Sequence, residues 1–485
     1  MKVRLTALTL MTLAACAGGG GSERPDVDAT DAEAADQQVG SDLAAADGLA
    51  DAPGSGDAGD GSLGDACLAD CPDATAAPDT LDPGDTPDGS GGPDAPDAAP
   101  TEPCDRLDND ADGLTDTGCG PPVAASTDAW VHDLGLVAVG QGQVSQPRTF
   151  TLSADASGFA VVVLDADGST EQLAVWQLRD PSGALVAAVS EPFGHEARDI
   201  PGFATAVVQV PDRGGFVPAS GAWTVTLFRN GGPSHVWLRV VESRRAAPAA
   251  STLDLNLWFV GLDGGLSAAT APTDPDFQAI LTAFRARLEP FHIAIGATEY
   301  FDVTGVDAQK YAYLDLATAP LAPGEDTDLV KLASNVPASN RGLDFFFVMG
   351  VSVPGVVAKA GAIPGPPLHH GVAGAGVVVS LANYFGGTKA AAIPVVGLTM
   401  AHEMGHQLGL YHTSEGSGLA HDPIADTPEC TDDSDQNGKV EPWECQALGA
   451  ENLMFWSAST EGALTPDQLT VIHRNPALYS PLEPR

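Results

Sequence analysis

Basic residues are scarce in this chain: 22 Lys and Arg stand against 65 Asp and Glu among 485 residues, a formal net charge of -43. Binding phosphates needs a cationic face, so nucleic acid is excluded as a partner. Past the N-terminus, apolar runs long enough to span a bilayer are also lacking, which excludes an internal transmembrane helix. Large apolar residues are missing from one region in particular. From Gly18 to Pro103 the chain is almost all Ala, Asp, Gly, Pro, Ser and Thr, as in "GSGDAGDGSLGD". Such a stretch cannot bury enough surface to offset chain entropy, so residues 17–103 are expected to form a disordered, self-repelling acidic tether. Residues 1–120 hold about 26 of the 65 acids and 4 of the 22 cations, roughly half of the net charge.

The N-terminus reads differently. "MKVRLTALTLMTLAAC" has two cations, a short apolar run and small residues before Cys16, the pattern of an export signal over residues 1–16. Leu13-Ala14-Ala15-Cys16 resembles the lipobox of bacterial lipoproteins. That resemblance implies acylation of Cys16 and a membrane anchor, and Ala17 after the cysteine favours the outer membrane or cell surface. Six further cysteines follow, an even number suited to disulfides in an exported chain. Fifteen pairings are possible, and the simplest joins neighbours: Cys430 with Cys445, Cys104 with Cys119, Cys67 with Cys71.

After the tether the composition shifts. Runs such as "RTFTLSA", "GFAVVVLDADG", "QLAVWQLRDPSG", "TAVVQVPDRGG", "GAWTVTLFRNGG" and "HVWLRVVES" alternate with turn residues, which predicts an antiparallel β-sandwich over residues 126–243. It carries no catalytic cluster. "LRDPSGALV" with "PASGAWTVTLF" resembles the accessory sandwich modules of secreted bacterial peptidases, so surface binding, spacing or bracing is its expected role. "RRAAPAAS", Arg244 to Ser251, reads as a linker. Residues 252–480 then read as an α/β domain. "TLDLNLWFVG", "HIAIGATEYFDV", "LDFFFVMGV" and "GAGVVVSLAN" are strands. "DPDFQAILTAFRARLEPF" is an amphipathic helix capped by Asp274, and a second helix is expected from about Pro394 to Leu408. The predicted fold class is therefore multidomain: disordered tether, all-β sandwich, then α/β domain.

The second helix carries "TMAHEMGHQLGLYH". Residues four apart share a helix face, so His402 and His406 can aim at one metal ion while Glu403 projects beside it as a proton acceptor. His412, six residues beyond His406, would lie too far along a straight helix. Gly409 can adopt the left-handed conformation that ends the helix and turns the chain back.

His402-Glu403-x-x-His406-x-x-Gly409-x-x-His412 matches every fixed position of the metzincin motif, and residues 252–480 resemble that family of zinc metalloproteases. The resemblance implies Zn2+ on three histidines, a fourth position for water, Glu403 as general base, and a protein or peptide substrate. It also implies a methionine turn beneath the metal, and "AENLMFWSAS" supplies Met454. "GLYHTSEG", "DPIADTPEC", "ENLMFW" and "LTPDQ" narrow the likeness to the pappalysin and cytophagalysin branch. Several metzincins place a tyrosine two positions after the turn methionine. Here that position is Trp456, which has no phenolic hydroxyl, so oxyanion stabilisation would rest on the metal and backbone donors.

"DSDQNGKVEPWE" fits a calcium loop at every fixed position. Asp433, Asp435, Asn437, the Lys439 carbonyl, Glu441 and Glu444 are its candidate Ca2+ ligands, and Cys430 and Cys445 bracket it in place of flanking helices. "CDRLDNDADGLTDTGC" offers a second set, Asp108, Asp110, Asp112 and Asp116, but has Cys119 where the twelfth-position acid belongs. It resembles the short cysteine-flanked, Asp-rich repeats of bacterial surface proteins. The histidines of "PGPPLHHG", His369 and His370, read as surface or cleft residues. Two rivals to a surface zinc endopeptidase stand: an adhesion protein with an inactive peptidase domain, and a hydrolase of cell-wall amides.

Overall fold

The computed structural model describes residues 128–480 apart from 141–142, 169–170, 232–233, 246–249, 317–322, 337–339 and 458–461. The expected signal with Cys16, the tether, the 104–119 motif and the Cys104–Cys119 and Cys67–Cys71 pairs lie outside the described residues. Among the described residues no helix is long and apolar enough to cross a membrane.

Among the described residues nine strands come first: β1 (Ala129–Val139), β2 (Arg148–Leu152), β3 (Gly158–Asp165), β4 (Gln172–Arg179), β5 (Leu185–Ala187), β6 (Gly202–Phe203), β7 (Thr205–Val210), β8 (Gly221–Arg229) and β9 (Ser234–Ser243). They form two antiparallel sheets, ordered β1-β9-β3-β7 and β2-β8-β4-β5, with β6 beside β4. In β8 every second side chain points inward, Trp223, Val225 and Leu227, as a sheet with one buried face requires. Trp223 meets Phe159 of the other sheet edge-on, ring centroids 4.9 Å apart, at the centre of the shared core. β3 departs from alternation. Phe159, Val161 and Val163 face that core, whereas Ala160, Val162 and Leu164 are covered from outside by Leu368, Val372 and Ala375. Its unbroken apolar run is the mark of a strand buried on both faces.

The remaining elements are β10 (Ser251–Val260), α1 (Pro275–Leu288), β11 (Ile293–Val303), α2 (Gly305–Tyr311), β12 (Tyr313–Leu314), α3 (Glu325–Val330), β13 (Leu343–Val348), β14 (Gly350–Val351), β15 (Ala358–Ala360), β16 (Val377–Ser380), α4 (Ala382–Gly386), α5 (Lys389–Gln407) and α6 (Pro466–His473). One sheet runs β11-β10-β13-β16-β15. All its pairings are parallel except that of edge strand β15. Leu253, Leu255, Leu257 and Phe259 of β10 face α1 and α5, while Trp258 and Val260 face a second core on the opposite side. Asp274 caps α1 as expected, its carboxylate accepting from the Phe277 N–H at 2.8 Å.

Two expectations need correction. The zinc-motif helix begins at Lys389, so Pro394 lies inside it rather than in its first turn. A proline there forfeits one backbone hydrogen bond. The buried face of Ala392, Val396, Leu398, Met400 and Ala401 holds the helix through the gap. Of the expected linker only the ends are described, and they are held: Arg245 is buried and donates to Ser251 Oγ at 2.8 Å and to the carbonyls of His473 and Asn475. His369 and His370 are buried, not exposed. His370 bonds Asp344 at 2.7 Å and the Asn340 carbonyl at 3.1 Å, and His369 faces Arg239 of β9 at 3.4 Å. Burial, then the Arg239 charge, pushes the His369 pKa down to about 3. The apolar cover that β3 demands draws this segment inward.

Candidate metal centre

Helix α5 ends where the motif asks it to. Gly409 has φ +104°, its N–H donates to the His406 carbonyl at 3.0 Å, and the Leu410 N–H donates to the Gly405 carbonyl at 2.9 Å. This pair of bonds is a Schellman cap, which satisfies carbonyls the helix end would leave open. Any side chain at 409 would also collide with Gln209 of β7, whose atoms lie 2.6 to 2.8 Å from a Cβ placed there. The chain turned back at Gly409 brings His412 to the two helical histidines.

Each histidine is oriented by the ring nitrogen facing away from its partners. Nδ1 of His402 meets the Leu453 carbonyl at 2.6 Å, Nδ1 of His406 the Leu410 carbonyl at 2.7 Å, and Nδ1 of His412 the Glu415 carboxylate at 3.0 Å. All three partners only accept, so each Nδ1 carries a proton, and a neutral ring then turns its Nε2 lone pair toward the other two. Those Nε2 atoms nevertheless converge, His412 lying 3.2 Å from His402 and 3.1 Å from His406. Burial, then the neighbouring His412, pushes the His402 pKa down to about 3 and that of His406 well down, so extra protons on these two rings do not resolve the crowding. A cation does. A tetrahedral zinc with nitrogen ligands at about 2.1 Å sets them about 3.4 Å apart, close to the spacing seen here, so the donor set fits this metal.

Met454 is fully buried and packs against Gly405, next to His406. A Cβ on Gly405 would fall 2.5 Å from its sulfur, so the residue before His406 must be glycine for the methionine to reach this position. The turn is held by Asn452, whose Oδ1 accepts the Met454 N–H at 2.8 Å and whose amide donates to Gln468 of α6 at 2.8 Å. In return the Leu453 carbonyl orients His402, and the Met454 carbonyl accepts the Thr413 N–H at 2.9 Å, next to His412. Glu403 is 8% exposed, and its Oε2 accepts the Ala360 N–H of β15 at 2.7 Å. Burial pushes its pKa up to about 7, against the opposing pull of that N–H, His412 and Lys359. Trp456 is committed elsewhere, its indole N–H donating to the Val440 carbonyl at 2.6 Å.

Several contacts at the centre had no signal in the sequence. Arg198, in the loop before β6, stacks over the Tyr411 ring at 4.5 Å and donates to the His421 carbonyl. Gln209 donates to the Val471 carbonyl at 3.2 Å and accepts from Asn475 at 2.7 Å, tying β7 to α6. The two-sheet region thus braces the exit of the zinc-motif helix.

In the acidic loop, Asp433, Asp435 and Glu444 are brought together, with oxygens within 4.8 Å of one another. Cys430 and Cys445 are disulfide-bonded below them. Gly438, at φ +81°, donates to Asp433 Oδ2 at 3.0 Å, while Asp433 Oδ1 is buried without a partner. Asn437 turns back on Asp435 at 3.1 Å, its Oδ1 accepting the Lys439 N–H at 2.9 Å. Glu441 accepts from the Trp443 indole at 2.8 Å. The Asn437 amide also donates to Glu441 at 3.3 Å.

No protein-family model matches the chain, and no curated protein does. Among solved structures it is similar to the archaemetzincin of Methanopyrus kandleri at 15% identity and TM-score 0.22, over 36% of this chain and 82% of that one. It is also similar to metalloproteinase-II of Bacteroides fragilis at 12% identity and TM-score 0.26, over 49% of this chain and 62% of that one, a little under two thirds of its length. The catalytic domain of a GH87 alpha-1,3-glucanase matches at 11% identity and TM-score 0.16, over 34% of each chain. At such TM-scores these likenesses carry no weight for function.

Proposed function

We propose that this protein is a zinc-dependent endopeptidase of the metzincin type, in the pappalysin-like branch, exported and held at a membrane surface through a lipid on Cys16. One observation carries the reading: three histidine Nε2 atoms converge beside a buried glutamate. His402, His406 and His412 would hold the metal. When bound, zinc polarises a carbonyl and acidifies a water molecule. Glu403 takes the proton from the attacking water and returns it to the leaving amine, a duty suited to a carboxyl whose proton affinity burial has raised. The Ala360 N–H holds one carboxylate oxygen still, leaving the other for proton transfer. β15 is the edge of its sheet, so an extended peptide adding to that edge would run past the base. With Trp456 turned to Val440, the oxyanion falls to the metal and backbone donors. We read the two-sheet region as the expected sandwich in a bracing role.

The same reading gives the loop Asp433–Glu444 a calcium ion. The orphaned Asp433 Oδ1 beside Asp435 and Glu444 supports it. Metal analysis of the purified protein should return one zinc and at least one calcium per chain, and casein should be cleaved in a chelator-sensitive manner. Cleavage that survives chelation sinks the zinc assignment. Turnover confined to cell-wall fragments moves the substrate to their amides, and turnover of neither leaves the adhesion reading.

A further inference from the structure

We infer that Glu415 is a positioning residue that sets how tightly the centre retains its metal ion, an inference that rests on the metal-centre reading above. The three histidines are not held alike. His402 and His406 sit on one helix and lean on neutral backbone carbonyls. His412 lies beyond the helix end on irregular chain, and it alone leans on a carboxylate, Glu415 Oε2 at 3.0 Å. The two side chains are 10% and 16% exposed, so little water competes for the bond. A carboxylate behind an imidazole fixes the ring and adds electron density to the nitrogen that faces the metal, and loss of such a partner typically weakens metal affinity by about 10- to 100-fold.

Glu415 is itself held on both sides by the disulfide-closed loop. The hydroxyl of the preceding Ser414 accepts the Cys430 N–H at 2.8 Å, and the carbonyl of the following Gly416 accepts the Val440 N–H at 2.9 Å. Its own N–H donates to Ala420 at 2.9 Å, and its carbonyl accepts from Gly418 at 2.8 Å. The acidic loop therefore reaches His412 through the Glu415 side chain.

The test measures zinc dissociation constants of the full folded protein by competition with a chromogenic chelator, alongside melting temperatures of the metal-free forms. Glu415→Ala should weaken zinc by about 10- to 100-fold with the metal-free melting temperature unchanged. Glu415→Gln, which keeps an acceptor oxygen but no charge, should fall between. A Glu415→Ala protein that binds zinc within twofold of the parent overturns the inference. So does weakening that only tracks a lowered metal-free melting temperature and that Gln does not relieve. Parent protein that binds no zinc fails the metal-centre reading instead, before any variant is compared.

Discussion

Two clusters in this molecule offer themselves to metal ions, and they are built on opposite plans. In the histidine triad each ring is fixed by an outward hydrogen bond, and the inward Nε2 atoms face one another, His412 lying 3.1 to 3.2 Å from the other two. In the loop Asp433–Glu444 the carboxylates spend themselves on the loop's own groups: Glu444 on Ser434 and the Asp435 and Glu441 N–H groups, Asp433 on Gly438. Among the loop's buried side-chain atoms, Asp433 Oδ1 is the one left without a partner. A site of the first kind is preorganised and should lose its chemistry, not its fold, when the metal leaves. One of the second kind should trade internal hydrogen bonds for its ion and change stability when it does so.

The largest expected effect tests the first half of that contrast. Glu403→Gln keeps an oxygen for the Ala360 N–H and removes the proton acceptor, so kcat should fall by about 10²- to 10⁴-fold. Zinc content should stay at one per chain. Near-normal turnover in the purified variant would remove Glu403 from its role, and loss of zinc would show that the triad is less independent of its neighbours than its geometry suggests. The next effect belongs to the loop. Replacing Cys430 and Cys445 by Ser opens a loop of sequence separation 15, and should cost about 3 kcal/mol by denaturant titration while zinc binding persists at saturating zinc. A double variant as stable as the parent would separate the loop from the fold.

Much of the triad was legible because chemistry fixes its spacing. Two ligands on one helix face require four residues, and a third beyond the helix end requires a residue free to take positive φ. His402, His406, Gly409 and His412 therefore announce themselves. Asp274 was legible for a similar local reason. What escaped was set by partners far along the chain. Gln209 reaches Asn475 across 266 residues, and Arg239 reaches His369 across 130, with no local pattern to report either contact. β1 escaped for another reason. Its register slips between Asp133 and Leu136, around Gly135 at φ +70°, and the slip breaks the alternation that marks a strand. Pro394 misled because burial behind it overrode the local preference for a helix start.

The smallest effect tests the contrast most directly, because it removes one ion while leaving the other. A calcium-selective chelator should strip the loop but leave zinc and proteolysis in place. Calcium at tenfold its dissociation constant should stabilise the protein by about 1.4 kcal/mol, a shift of a few degrees in melting temperature. Glu444→Gln should abolish that shift, since Glu444 belongs to the carboxylate cluster and also anchors the Asp435 and Glu441 N–H groups. Its metal-free stability should drop only slightly, because a glutamine oxygen can still accept one of those bonds. If instead the chelator releases zinc in proportion to calcium, the two clusters act as one, and the path through Cys430, Ser414 and Glu415 to His412 is where that coupling would run.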